Sequence, residues 1–180
     1  MAVRDIAGRR YALAVIEIAR ANGTFDSWAE SLAVLSTIAG VPGAVGALQG
    51  DGMTDERFAA TIRQIHPGIT EVELNLFRLL RRKTRLALGP SIAEYFGELL
   101  DAERGIARAS VRTAVALDDG QRDAIAQRLA TQTGKTIVLE AEVDPSLIGG
   151  AIVQIGDQLI DGSTRRRLQR LRQELAQAGS

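Results

Sequence analysis

Three groups of residues in this chain have types and spacings that invite chemistry. The first is rich in glycine and aspartate: Asp144, Gly149, Gly150, Gly156, Asp157, Asp161 and Gly162, followed by Ser163. A Gly-Gly pair lets backbone amides approach an anion, as phosphate-binding loops require. Here no Lys-Ser/Thr follows the pair and no G-x-G-x-x-G opens a helix, so it reads as a structural turn or a close strand approach. Three aspartates would suit a hard cation, but turn and capping chemistry accounts for Asp144 and Asp161, and a hairpin for Asp157. The second group is the lone His66 before Pro67, which has no Ser or Cys nucleophile constellation to serve and is expected in a surface turn. The third is the run Arg165, Arg166, Arg167, Arg170 and Arg172. It is either a solvated helix face or a docking surface. Arginines in the first turn of a helix oppose its dipole, a cost that favours a role outside the helix. No catalytic residue, metal ligand or cofactor contact is expected.

Composition narrows the classes further. Lys plus Arg and Asp plus Glu both number 22, so the formal net charge is zero. A helical RNA-binding adaptor would need an excess of cations to neutralise phosphates, and two Tyr and one Trp offer little to stack on bases. A small enzyme would need convergent polar residues that the sequence lacks. With no Cys and one His, disulfides, thiol catalysis and multi-histidine metal centres are excluded. Aromatic residues make up only 4%, so the core must be aliphatic. No apolar run approaches the roughly 20 residues that span a bilayer, and the N-terminus opens no signal-peptide pattern. A soluble, cytoplasmic chain is expected.

The elements that must carry these residues fall into two parts. Over residues 6–21 apolar positions and alanines make a helix that is greasy on more than one face, stopped by Asn22-Gly23. Phe25, Trp28, Leu32, Leu35 and Ile38 form one stripe of a second helix, broken by Gly40 and Pro42. A short third helix covers 42–48. Thr54 caps a fourth with Phe58, Ile62 and Ile65 inward, and Thr70 with Glu73 makes a capping box for a fifth carrying Leu74, Phe77 and Leu80. A sixth covers 90–103, with Ile92, Phe96 and Leu99 inward. Near Gly105 the period drops to two. Ala107, Ala109, Val111 and Val115 mark a strand, Asp118 with Gln121 caps a helix ended by Gly134, and Ile137, Leu139, Ala141 and Val143 mark a second strand. Residues 151–155 and 158–161 make a hairpin through Gly156-Asp157, of type II′, and Ser163 caps a last helix with Leu168, Leu171 and Leu175 on one line. The fold class is α+β: an all-α six-helix bundle over 1–105, then a small α/β domain over 106–180 with short strands, a β-hairpin and two helices.

At this point the residues resemble a known family. The run from Asp144-Pro145-Ser146-Leu147-Ile148-Gly149-Gly150 through Ala151-Ile152-Val153-Gln154-Ile155-Gly156-Asp157 resembles the signature of delta subunits of F-type ATP synthases, called oligomycin sensitivity-conferring protein in mitochondria. Ile160-Asp161-Gly162-Ser163, Arg165, Leu168 and Leu171-Arg172 match its continuation. Thr113-Ala114-Val115-Ala116-Leu117-Asp118 and Gly8-Arg9-Arg10-Tyr11-Ala12 are similar to two further family stretches, in the expected order. The family places Asn before the Arg-Leu that follows helix five, whereas here Lys83-Thr84 precede Arg85-Leu86.

The resemblance implies a non-catalytic connector in the stator of the rotary synthase. Its N-terminal bundle would bind N-terminal segments of alpha subunits, and its C-terminal domain the C-terminal ends of b-type stalk helices. One copy would sit in each complex, peripheral to the cytoplasmic face of a bacterial membrane, with no nucleic acid bound and no insertion into the bilayer. It also implies that helices one and five form the alpha-binding groove. Facing then suggests Tyr11, Val15 and Ile18 with Leu76, Leu79 and Lys83 as its contacts, and the resemblance favours Arg165, Arg166 and Arg170 as contacts of the stalk.

Overall fold

The structure is a computed structural model that describes residues 6–156 and 158–178. The chain divides into two compact units, Met1–Leu100 and Asp101–Ser180. Asp157, and the side chains of Leu171 and Leu175, lie outside the described residues.

The first unit holds α1 (Ile6–Asn22), α2 (Phe25–Gly40), α3 (Ala44–Gln49), α4 (Asp55–Ile65), α5 (Glu71–Arg82) and most of α6 (Gly89–Glu103), with a 3-10 turn at Leu86–Leu88. Local chemistry sets its boundaries. Gly23 takes φ +67° at the end of α1. The Thr54 hydroxyl accepts from the Arg57 amide, and Thr70 with Glu73 completes a reciprocal capping box. Beyond α5 the Thr84 amide donates to Arg81 and the Arg85 amide to Leu80, the paired bonds of a Schellman motif. Its left-handed position is held by Thr84 at φ +53°, a β-branched residue where Gly or Asn fits without strain. The motif falls at Lys83-Thr84, where the sequence departs from the pattern it otherwise resembles.

The core of this unit is aliphatic with a few phenylalanines: Leu32, Leu35, Phe58, Ile62, Leu74, Phe77, Leu80, Ile92 and Phe96 are all buried. Trp28 belongs to it as well. Two stripe assignments need correction. Ile65 is exposed because α4 ends there, and the buried role passes to Ile69 after the turn. In α6 the inward line is Ile92, Phe96 and Leu100, while Leu99 is half-buried, so the helix packs along its i+4 ridge. Gly8 has a steric reason to be Gly, since a Cβ there would stand 2.3 Å from Ser91 Oγ on α6.

His66 also differs from its expected place. It caps α4, but its ring is half-buried and Nε2 lies 3.1 Å from Oγ of the buried Ser31 on α2. Nearby, Glu73 is 1% exposed. Its carboxylate accepts from the Ser27 hydroxyl at 2.5 Å and the Thr70 amide at 2.8 Å. Burial pushes its pKa up, but hydrogen bonds from Ser27, Thr70 and Ser31 outweigh that and hold it below its ordinary value. On the far side of α5, Asp55 pairs with Arg78, Arg81 and Arg82, and Arg81 also lies over the Phe58 ring.

The second unit contains β1 (Ile106–Thr113), α7 (Asp119–Thr133), β2 (Thr136–Val143), β3 (Ala151–Ile155), β4 (Gln158–Asp161) and α8 (Thr164–Ala178). Asp118 and Gln121 form the expected capping box, and Gly134 at φ +67° ends α7. The sheet order is β2-β1-β3-β4, with β1 parallel to β2 and antiparallel to β3. Register puts Ala109, Val111 and Thr113 on one face with Leu139, Ala141 and Val153. The other face carries Arg108, Arg112, Glu140, Glu142 and Gln154, the polar alternation of a sheet with one solvated side. Val115 was expected on the buried line but is exposed beyond the end of β1. Thr113 takes the last inward place, its hydroxyl donating to the Val115 carbonyl.

Candidate functional site

Helix α1 has two apolar stripes. Ala12, Val15, Ile16 and Ala19 enter the bundle core, while Ala7, Tyr11, Ala14 and Ile18 face a groove. On α5 the core stripe is Leu74, Phe77 and Leu80, and a second stripe of Val72, Leu76 and Leu79 forms the opposite wall. Trp28 of α2 lines the floor. The resulting apolar groove has a volume of about 570 Å³. Arg10 and Arg85 stand at its rim, and Arg85 donates to the Tyr11 hydroxyl at 3.2 Å.

Five of the six groove residues expected from sequence line it: Tyr11, Val15, Ile18, Leu76 and Leu79. Lys83 does not, because it sits at the C-cap of α5, and Arg85 beyond the Schellman turn supplies the cation instead. Val15 is only 2% exposed, so it is core that touches the groove floor. Ala7, Arg10, Ala14, Trp28, Val72, Asn75 and Arg85 were missed. A signal was present: positions 72, 76 and 79 repeat at helical spacing, as do 7, 11, 14 and 18. The groove offers apolar walls and positive rim charge, which suits an amphipathic helix.

In the second unit the glycine and aspartate positions organise the entry to α8. Gly150 takes φ +82°, and a Cβ there would lie 2.5 Å from the Gly162 carbonyl oxygen. A Cβ on Gly149 would stand 3.0 Å from Thr164 Oγ1. This close approach is tied by Gly162 donating to Ala151 and Thr164 donating to Gly149. Asp144 accepts from the Ser146 amide and Asp161 from the Ser163 amide, both at 2.9 Å. Ser163 is buried and its hydroxyl accepts from the Arg166 amide at 3.3 Å, which caps α8. Hydrogen bonds from Ser146, then the charges of Arg112 and Arg165, hold the Asp144 carboxyl below its ordinary value. Ser163, then Arg166, does the same for Asp161. Gly156 has the positive φ its hairpin requires, at +54°.

Arg165, Arg166 and Arg170 are exposed on α8. Leu168, expected on a buried line, is 58% exposed. Its helical spacing is that of a packed stripe, but among the described residues it stays open to solvent. Among the described residues no group of three or more His, Cys, Asp or Glu is placed to hold a metal ion. No helix among them is long and apolar enough to cross a membrane.

The groove and the glycine-locked helix entry can be set beside known proteins. The model of the ATP synthase delta (OSCP) subunit matches residues 7–175. The chain belongs to that family. It is 37% identical over 169 residues to ATP synthase subunit delta of Thioalkalivibrio sulfidiphilus, covering 93% of this chain and 95% of that one. It is also 37% identical over 172 residues to ATP synthase subunit delta of Anaeromyxobacter sp. Fw109-5, covering 94% and 96%. A chain of the Toxoplasma gondii mitochondrial ATP synthase hexamer shares the fold, with a TM-score of 0.66 at 16% identity over 96% of this chain and 98% of that one. Members of the delta (OSCP) family are structural subunits of the ATP synthase, and this one is no enzyme itself. Gly149, Gly150, Asp161 and Ser163 thus fix the entry of the chain into α8.

Proposed function

We propose that this delta-family chain is the stator connector of an F-type ATP synthase, joining the catalytic head to the peripheral stalk. Residues 1–105 hold an N-terminal segment of an alpha subunit, and residues 106–180 hold the C-terminal ends of b-type stalk helices. One copy serves each complex, peripheral to the cytoplasmic face of a bacterial membrane. It resists the torque of rotation during proton-driven ATP synthesis.

The observation that carries this reading is the groove between α1 and α5. A closed helical bundle has no need of a second apolar stripe on two adjacent helices, yet Leu79 is 44% exposed and Ile18 37% exposed along it. A partner helix with apolar residues on one side and acidic residues near Arg10 and Arg85 satisfies both the walls and the rim. In the second unit the exposed Arg165, Arg166 and Arg170 flank an exposed Leu168, which suits a second helix of apolar and acidic character.

Calorimetric titration of the chain with a peptide of the alpha N-terminus and one of the b C-terminus tests the proposal. Leu79→Asp and Ile18→Asp are expected to abolish binding of the alpha peptide and leave the b peptide unaffected. Charge reversal at Arg166 and Arg170 is expected to do the opposite. Val15→Asp is unsuitable, because a buried aspartate would unfold the bundle. Binding of neither peptide to the unaltered chain would refute the connector role.

A further inference from the structure

Glu73 is the only buried charged residue among those described. The capping box explains one of its bonds, to the Thr70 amide. It does not explain why α2 brings the Ser27 hydroxyl onto the same carboxylate at 2.5 Å. A carboxylate only accepts, and a serine has one hydroxyl proton to give. Ser27 therefore donates to Glu73, and one turn further along α2 the Ser31 Oγ lies 3.1 Å from His66 Nε2. A chain of contacts thus runs from the end of α4 to α2 and, through Ser27, to the first turn of α5.

The location of this chain relative to the groove is informative. Trp28 lies between Ser27 and Ser31 on α2 and lines the groove floor. Val72, Asn75 and Leu76 bracket Glu73 on α5 and line its wall. Apolar contacts between helices tolerate small rotations, whereas a satisfied buried polar network selects one arrangement. We propose that Glu73, acting through Ser27, is a positioning residue for helix binding. It sets the rotation of α2 against α5, and so the shape of the surface a partner helix meets. This rests on the groove being the docking site proposed above.

The test uses the full chain and its sole tryptophan, Trp28. Ser27→Ala, at a temperature where circular dichroism shows the helices intact, is expected to shift Trp28 emission without any peptide. The same variant is expected to weaken binding of the alpha N-terminal peptide by about fivefold, the usual scale for a residue coupled to a site it does not touch. Ser27→Thr, which keeps the hydroxyl, is expected to restore both readings, and Glu73→Gln to perturb both. A Ser27→Ala chain that only melts earlier, with emission and affinity unchanged, overturns the proposal and leaves Glu73 a structural cap. If the unaltered chain binds no peptide, the groove reading and this inference fall together. If it binds and Ile18→Asp still binds, the groove reading is wrong and the binding role of Glu73 falls with it, whereas intact binding by Ser27→Ala beside loss in Ile18→Asp overturns the role of Glu73 alone.

Discussion

The two units of this chain contrast in how much of their own core they close. In the first, six helices bury Phe58, Phe77, Phe96, Leu74, Leu80 and many smaller residues. In the second, the buried hydrophobic residues among those described are Ala109, Val111 and Leu129. Ile148, Ile160 and Leu168 stand exposed on the same unit. A domain of this size is marginal even with a full core. The bundle is therefore a finished body with a groove cut into it, whereas the second unit is held by turns, caps and a sheet and leaves Ile148, Ile160 and Leu168 exposed.

The contrast can be broken by truncating each core. Phe77→Ala is expected to cost the bundle about 3–5 kcal/mol, and Ile160→Ala in the second unit under about 1 kcal/mol, both read by chemical denaturation. Equal costs would mean that the second unit hides a core of its own. Next in size is Gly150→Ala, which places a side chain at φ +82° and against the Gly162 carbonyl. A loss of about 2–3 kcal/mol is expected in the transition of the second unit, with the bundle transition unmoved.

Acidification reaches both units. Glu73, Asp144 and Asp161 all have folded-state pKa values lowered from their ordinary ones. A carboxylate with a depressed folded pKa contributes stability that is complete above its unfolded value, about 4 for these groups, and is lost as pH falls through the folded value. Thermal unfolding followed from pH 7 downward is expected to hold steady to about pH 5 and then decline. Glu73→Gln is expected to flatten the bundle's share of that decline. The smallest effect is a gain. Thr84→Asn relieves a left-handed threonine at the end of α5 and is expected to stabilise the bundle by about 1 kcal/mol, seen as a raised Tm.

Much of this architecture was legible because its determinants are local. The capping boxes at Thr70 and Asp118, the cap at Thr54, and the left-handed Gly23 and Gly134 act within a few residues, so spacing alone revealed them. Alternation placed the strands, and Val115 failed only because β1 ends before it. The misread positions depend on what lies opposite. Leu168 has the spacing of a core residue yet stands exposed, and Ile65 lost its place because its helix stops. His66 was read as a surface residue because its partner Ser31 is far away in the chain.

By itself the sequence determined the fold class, the change from helix to strand near residue 105, and the turn and cap chemistry of Asp144, Asp161 and Ser163. These follow from periodicity and from residues whose backbone preferences are intrinsic. Tertiary structure alone decided which side of α1 meets α5, that Arg85 and not Lys83 stands at the groove, and that the buried Glu73 takes the Ser27 hydroxyl of α2. Each of these depends on packing between helices distant in sequence, where a side chain's environment is set by its neighbour's rotation and not by its own spacing.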